Sequence, residues 1–440
     1  MSLTIGLLSR SRGFAVQSVL IFLLAPLGLQ AQLLVDCSGN DPNAFPNINS
    51  ALPYATPWSS IIVTGTCNEN VSLYGMNGIN LGAWWGQTAT INGTVSIYYS
   101  TLIYLYGLNI TSSSGDGVSV GGSRNVVLDT CTSNGNGGAG LNAYGMSEVL
   151  VSSSGAFNGN GNGGIRIFGN SLVALNAWGG LVDISNNIGP GVWSSQGEFN
   201  TFGHTTIANN QPGPTQGPAF GIQLLGGSRA QIGTPYGPNI LQGNPAGGVS
   251  IGEGSEISFW SSGQPNIIQG NGPVGVSVNL KSQATFFGGA EISNHSDVGV
   301  EAYANSQANF FGSNKVQGNG SPSGSRSAGV RVDGNSEAFL RGGDVSQNVG
   351  PGLLSLVNSS FDFTGVTFSR NSGGIVTCDS SSVMVSDLNG PSSTPAAGVH
   401  CVTPHALGNR HISRAAAPPV PDLSAYKAMQ AKYRKLATRH

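Results

Sequence analysis

Residues 275–287 read GVSVNLKSQATFF, and 24 positions later residues 299–311 read GVEAYANSQANFF. So short a repeat leaves little choice of architecture. A unit of about two dozen residues cannot bury a hydrophobic face alone, so successive units must stack and share one core. Taking Gly followed by an apolar residue as origin, the unit recurs at Gly117, Gly140, Gly164, Gly191, Gly221, Gly248, Gly275, Gly299, Gly329, Gly352, Gly374 and Gly398. Spacings run from 22 to 30 residues. Ser stands seven positions after the Gly in nine of these twelve units: Ser147, Ser171, Ser228, Ser255, Ser282, Ser306, Ser336, Ser359 and Ser381. Chance does not place nine serines in register.

Side chains alternate within each unit. Positions one and three after the Gly are apolar, as in Val118/Val120, Ile165/Ile167, Val249/Ile251, Val276/Val278 and Val330/Val332. Positions nine and eleven repeat the pattern in Val149/Val151, Ile257/Phe259, Ala284/Phe286, Ala308/Phe310 and Val383/Val385. Period two marks a strand with one face inward. A third short strand closes each unit near an Asn, among them Asn271, Asn319, Asn348 and Asn371. Three short strands per coil predict an all-β, right-handed parallel β-helix of about fourteen coils. Each strand pairs with its equivalents about 4.8 Å above and below. Phe259, Phe286 and Phe310 then fall in one internal stack, and the Ser and Asn columns become ladders that satisfy bent backbone. The composition agrees: 67 glycines and only 9% charged residues suit strands and tight turns rather than helical bundles or charged disorder.

The two ends read differently. Arg10 and Arg12 precede the apolar run FAVQSVLIFLLAPLGL (14–29), with a small residue at Ala31. Residues 1–31 are read as a signal peptide, which places the chain in the envelope or outside the cell. Gln17, Ser18 and Pro26 argue against a retained span. Residues 32–58 form an N-terminal cap, in which the segment 41–55 supplies a short helix burying Phe45, Ile48 and Leu52. The β-helix is expected over 59–409, a Pro/Ala-rich linker over 410–421, and a basic amphipathic helix over 422–440. That helix either caps the rod or stays free to touch a membrane surface. Export permits disulfides, and Cys37 with Cys67, and Cys378 with Cys401, are matched by position. Cys131 is left as a buried small residue. The segment 32–409 carries nine Lys/Arg against nineteen Asp/Glu, a net of −10, so nucleic acid is not an expected partner. No cofactor is expected.

The stretch from DPNAFPNINSALPYA (41–55) through Ile61–Val63, Gly65 and Glu69-Asn70-Val71 resembles the entrance to pectin-lyase-like β-helix proteins. The following coils resemble the repeat of polysaccharide lyases, polygalacturonases, carbohydrate epimerases and many exported proteins of no assigned activity. The resemblance spans most of 40–405 and implies fold more than function. Polygalacturonase-like sites carry N-T-D, D-D, G-H-G and R-I-K elements, and this chain lacks the set. Its nearest fragments are Gly203-His204-Thr205 and Arg166-Ile167-Phe168. Lyase-like sites need clustered Asp for calcium, which would enter here only with lyase chemistry, and the Asp residues are scattered.

Candidate residues therefore come from geometry. Positions two and four after each Gly face outward on the first strand. They place Glu301 and Arg331 side by side, with Asp333 diagonal to Glu301 at roughly 8 Å. Two carboxylates at that separation suit acid and base of an inverting hydrolase. The plainer reading is a Glu–Arg pair across the strands. Tyr144, Phe168 and Trp193, with Tyr303 further along, offer aromatic platforms for sugar C–H faces, or simple cover under longer loops such as 211–220. The sequence reads best as a secreted, non-catalytic rod with a structural or carbohydrate-contacting role. A polysaccharide lyase or glycoside hydrolase, and an adhesin-like protein-binding rod, are the alternatives.

Overall fold

The computed structural model describes residues 32–386, apart from 85, 215–216 and 323–325. The outcome is the expected all-β solenoid. The first ladder runs through thirteen strands from Val71–Tyr74 to Val376–Cys378. The second runs from Gln32–Asp36 to Val383–Ser386, and the third from Thr66–Cys67 to Thr367–Ser369. Pairing is parallel and joins equal offsets: Val276 sits between Val249 and Val300. In two coils the second and third strands fuse into Arg124–Ser133 and Glu148–Ala156, bent at Thr130 (φ 54°) and Ser153 (φ 63°).

Stacking like on like makes the core. Phe259 and Phe286 stack at 5.0 Å and 6°, and Phe286 and Phe310 at 4.6 Å and 14°. All three are buried. Cys131 is free and buried, as expected, and burial pushes its thiol up to about 12. The serine column is a ladder: the backbone N–H of Ser255 donates to Ser282 Oγ (3.2 Å), and that of Ser306 to Ser336 Oγ (3.1 Å).

The asparagine column is the stricter device. Asn136, Asn160, Asn187, Asn210 and Asn244 each donate Nδ2 to Oδ1 of the Asn in the following coil at 2.7–2.9 Å, ending on Asn271. The ladder resumes through Asn319, Asn348 and Asn371. Between the two runs stands His295, also buried, with Nε2 3.0 Å from the Ile268 carbonyl and Nδ1 3.4 Å from that of Asn271. The repeating Gly packs against this column. A Cβ on Gly248 would lie 2.6 Å from the Gly275 carbonyl oxygen and 3.0 Å from Asn271 Nδ2, so no side chain fits there.

The N-terminal cap forms as expected around Ile48–Ala51 and Leu52–Tyr54, with Ile48 and Leu52 buried and Phe45 half-buried against Tyr54 at 5.3 Å. Asn47 caps the helix by accepting from the Ser50 N–H (2.8 Å). The cap also contributes a strand, Gln32–Asp36, paired with Ser60–Thr64. Cys37 and Cys67 are bonded, with Cα atoms 5.1 Å apart.

One register differs from expectation. Leu353 pairs with Val376, so Ile375 rather than Gly374 takes the origin position in that coil. The buried Ser382 takes the column position there, while Ser381 Oγ accepts the Asn358 N–H at 3.0 Å, and Met384 rather than Val383 stands beside Phe361. The turn is no longer than its neighbour, since Asn371 to Ile375 spans four positions as Asn348 to Gly352 does; this coil simply carries its glycines at 373 and 374, ahead of the origin position. The expected signal peptide, the 387–409 part of the solenoid, the linker, the basic helix and Cys401 lie outside the described residues. Cys378 is disulfide-bonded.

Two predictions follow the asparagine column. Asn187 accepts both the backbone N–H and Nδ2 of Asn160, each at 2.9 Å. Asn187→Ala should cost about 2–4 kcal/mol, since each stranded buried donor costs about 1–3 kcal/mol. The cost should appear as lost amide-exchange protection in the coils around residues 160–210. Burial lowers the His295 imidazole to about 4. The unfolded chain, titrating near 6.5, therefore takes up a proton first as pH falls, and stability drops between about 6.5 and 4 by up to roughly 3 kcal/mol. His295→Asn should flatten that slope in denaturant titrations across this pH range.

Candidate functional site

On the first ladder inward side chains form the core, and the residues between them face outward in two columns. The alternation is plain in Leu141–Tyr144 and Ile165–Phe168, where buried and accessible positions take turns. Register places Arg166 beside Trp193, Trp193 beside Gln223, Glu301 beside Arg331 and Tyr303 beside Asp333. The expected candidates thus share one face, but they separate into two groups.

The aromatic group lies towards the N-terminal end. Phe168 and Trp193 meet edge to face at 5.2 Å and 82°. The Arg166 guanidinium carbon lies 4.9 Å from each ring centroid. Among the described residues the buried Arg166 Nε and Trp193 Nε1 have no hydrogen-bond partner, and burial lowers the Arg166 pKa while Asp116 opposes the shift. One coil earlier Asn142 donates to Asp116 Oδ2 (2.8 Å), whose Oδ1 accepts the Ala139 N–H (2.8 Å). Tyr144 is 37% exposed and meets Tyr98 at 6.1 Å, although a whole coil separates their strands. They meet because Gly121 lies between: a Cβ there would come 2.9 Å from each ring. Burial and the bond with Tyr98 push the Tyr144 hydroxyl up to about 12.

The charged group is built differently from the expected diagonal of two free carboxylates. Arg331 is buried and turns along its own strand to Asp333, at 2.6 Å. Glu301 accepts instead from the Ser277 hydroxyl at 3.0 Å. Burial raises the Glu301 carboxyl above the usual range, with Ser277 and Arg331 opposing. Tyr303, 40% exposed, completes the group, and burial beside Glu301 raises its hydroxyl too.

Sequence reasoning missed Tyr98, Asp116 and the clamping of Arg166. Carrying the register one coil upstream would have found Tyr98, which holds the same column position as Gly121 and Tyr144. A further aromatic pair, the exposed Trp178 and the half-buried Tyr236, stacks at 5.8 Å and 6°. Among the described residues, Cys37, Cys67 and Glu69 bring possible metal-ligand atoms together. The two sulfurs are bonded to each other, and Glu69 accepts the Ile48 (2.6 Å) and Asn49 (3.0 Å) N–H groups, so this group serves the cap.

A family model described as "Right handed beta helix region" matches residues 93–262. No curated protein matches the chain in sequence. Among solved structures, the chain is similar to the A-module of the Azotobacter vinelandii mannuronan C-5 epimerase AlgE4, at 13% identity over 81% of this chain and 94% of that one, with a TM-score of 0.42. It is similar to the Dettilon tailspike protein at 12% identity, over 73% and 62% of the two chains, with a TM-score of 0.39. Pectate lyase Pel9A matches at 12% identity over 78% of each chain, with a TM-score of 0.30.

The Tyr98–Gly121–Tyr144 contact is open to a direct check. Gly121→Ala should destabilise the rod by about 1–3 kcal/mol, the usual cost of overpacking. In a Tyr144→Ala background the same change should cost clearly less, because one of the two colliding rings is gone. Equal costs in both backgrounds would show that the glycine answers to something else.

Proposed function

We propose, for this right-handed parallel β-helix protein, that it is an exported rod whose first-ladder face contacts polysaccharide and holds it without cleaving it. The observation that carries this reading is the Arg166 guanidinium fixed between Phe168 and Trp193, its central carbon 4.9 Å from each ring centroid. Aromatic rings offer flat faces to sugar C–H groups, and a guanidinium offers oriented donors to sugar oxygens. Tyr144 extends the platform one coil further, and Tyr303 offers a separate ring in the charged group. The net charge of −10 over 32–409 favours neutral or sparsely charged glycans over dense polyanions. The Arg10/Arg12 and 14–29 pattern and the Cys37–Cys67 disulfide support export to an oxidising compartment.

One observation favours a second reading, cleavage by a glycoside hydrolase or polysaccharide lyase at Glu301, Asp333 and Arg331. Burial holds the Glu301 carboxyl above its usual range, as a proton donor requires. Against it, Asp333 is already engaged by Arg331.

Purified chain run in gels containing a panel of neutral and acidic polysaccharides separates the readings. Retardation without new reducing ends or unsaturated products supports contact. Trp193→Ala and Arg166→Ala should each weaken it about five- to a hundredfold, given about 1–3 kcal/mol per stacked or ion-assisted contact. Cleavage abolished by Glu301→Gln, with or without added calcium, would establish the second reading. Absence of both retardation and cleavage would defeat both readings and leave adhesion to a protein.

A further inference from the structure

We propose that the glycan held on the first-ladder face is a single chain of neutral, diequatorially linked pyranoses, laid along the rod axis from Trp193 to Tyr74. This rests on the contact reading above and gives it a ligand class. Tyr74 pairs with Tyr98, Tyr98 with Gly121, and Gly121 with Tyr144. Ala143 pairs with Ile167, which sets Tyr144 beside Phe168. One outward column is therefore aromatic over five consecutive coils, broken only where Gly121 lets the rings of Tyr98 and Tyr144 approach to 6.1 Å. In the next coil the column turns to Ser195, and Trp193, beside Arg166, carries the last ring. At the other end Tyr74 is 66% exposed and meets Tyr99, 70% exposed, at 5.7 Å. Neither ring serves the core.

Charge selects a neutral ligand. The track covers six strands, from Val71–Tyr74 to Val192–Ser195, and of their outward residues Arg166 alone is charged. A polyuronate bears a carboxylate on every residue, and it would meet one cation along roughly 24 Å, five strand spacings of about 4.8 Å. Pitch selects the linkage. Diequatorial bonds extend a pyranose chain into a ribbon that advances about one coil height per residue and carries axial C–H groups on its faces. Axial bonds bend the chain into a coil, which leaves a straight column within a few residues. Ring tilt selects a single chain over a crystalline surface. The successive pairs Tyr74–Tyr99, Tyr98–Tyr144 and Phe168–Trp193 make angles of 75°, 53° and 82°, so they offer no common plane to the flat face of a crystal. A ribbon that turns over at each linkage meets a face at one ring and an edge at the next.

The test is isothermal titration of the full chain with cello-, manno- and xylo-oligosaccharides of increasing length, against malto-oligosaccharides and oligogalacturonates. At least one diequatorial series should bind, with affinity that rises up to about six residues, one for each coil of the track, and then levels. Tyr74→Ala should weaken the longest of these ligands about two- to tenfold, the worth of one ring contact, and leave the shortest that bind unchanged. The Tyr74 ring stands outside the core, so its loss spares the fold, and Tyr99→Ala is read the same way. Tighter binding of malto-oligosaccharides or oligogalacturonates overturns the proposal, as does affinity that ignores length. So does an unchanged longest ligand in Tyr74→Ala. Each of these results leaves polysaccharide contact standing. Failure to bind every series, by a chain still retarded in polysaccharide gels, likewise overturns this proposal alone. Failure in both measurements defeats the contact reading with it.

Discussion

The structure depends on one contact repeated up the rod: a glycine with no room for a Cβ against an asparagine whose amide bridges to the next coil. Gly221 shows it, with the Gly248 carbonyl and Asn244 Nδ2 both inside the space a methyl would need, and Asn244 Nδ2 donating to Asn271 Oδ1. The glycine lets the coil turn tightly, and the asparagine pays the hydrogen-bonding debt of that turn. Neither works without the other. The same pairing explains why a chain with 67 glycines, each carrying a large entropic cost on folding, still holds a fixed register. A buried amide ladder is satisfied only when every coil is aligned, so a slipped register strands donors along the whole column.

Register then dictates where chemistry can stand. Once Val276 is locked between Val249 and Val300, its outward neighbours have no freedom of position, only of side-chain torsion. Arg166 lands beside Trp193 and Glu301 beside Arg331 for that reason alone. Torsion decides the remainder. Arg166 settles between two aromatic rings, while Arg331 turns away from its cross-strand neighbour towards Asp333. One cation is held by aromatic faces, and the other is spent on an internal carboxylate.

This division marks what the sequence could disclose. The serine offset, the Phe259–Phe286–Phe310 stack and the short capping helix were legible because each is a property of position, and position follows from period. The slip at Ile375 was not, since Ile375 stands where the preceding coils carry the Gly, and the nearest Gly, Gly374, falls one position before it. The strand Gln32–Asp36 was hidden because it precedes the first recognisable unit and borrows its partner from the second. Tyr98 and Tyr144 meet across a coil only because Gly121 intervenes, a contact written in three residues more than twenty positions apart. The Arg331–Asp333 pair was beyond reach because two acids lay at comparable distance from one guanidinium.

His295 shows how far the constraint can be relaxed. Its imidazole takes a ladder position and faces two carbonyl oxygens, but a neutral ring carries one N–H and serves only one of them. Protonation would serve both, yet burial opposes the charge, and burial prevails. The ladder continues past it because the His295 backbone N–H still donates to Asn319 Oδ1 at 3.2 Å. The coil-to-coil link therefore rests on the accepting Oδ1 above, and the side chain below is free to vary so long as it fills the space beside Gly275, where its ring stands 2.6 Å from a would-be Cβ. A solenoid built this way tolerates substitution on one side of each rung and not the other.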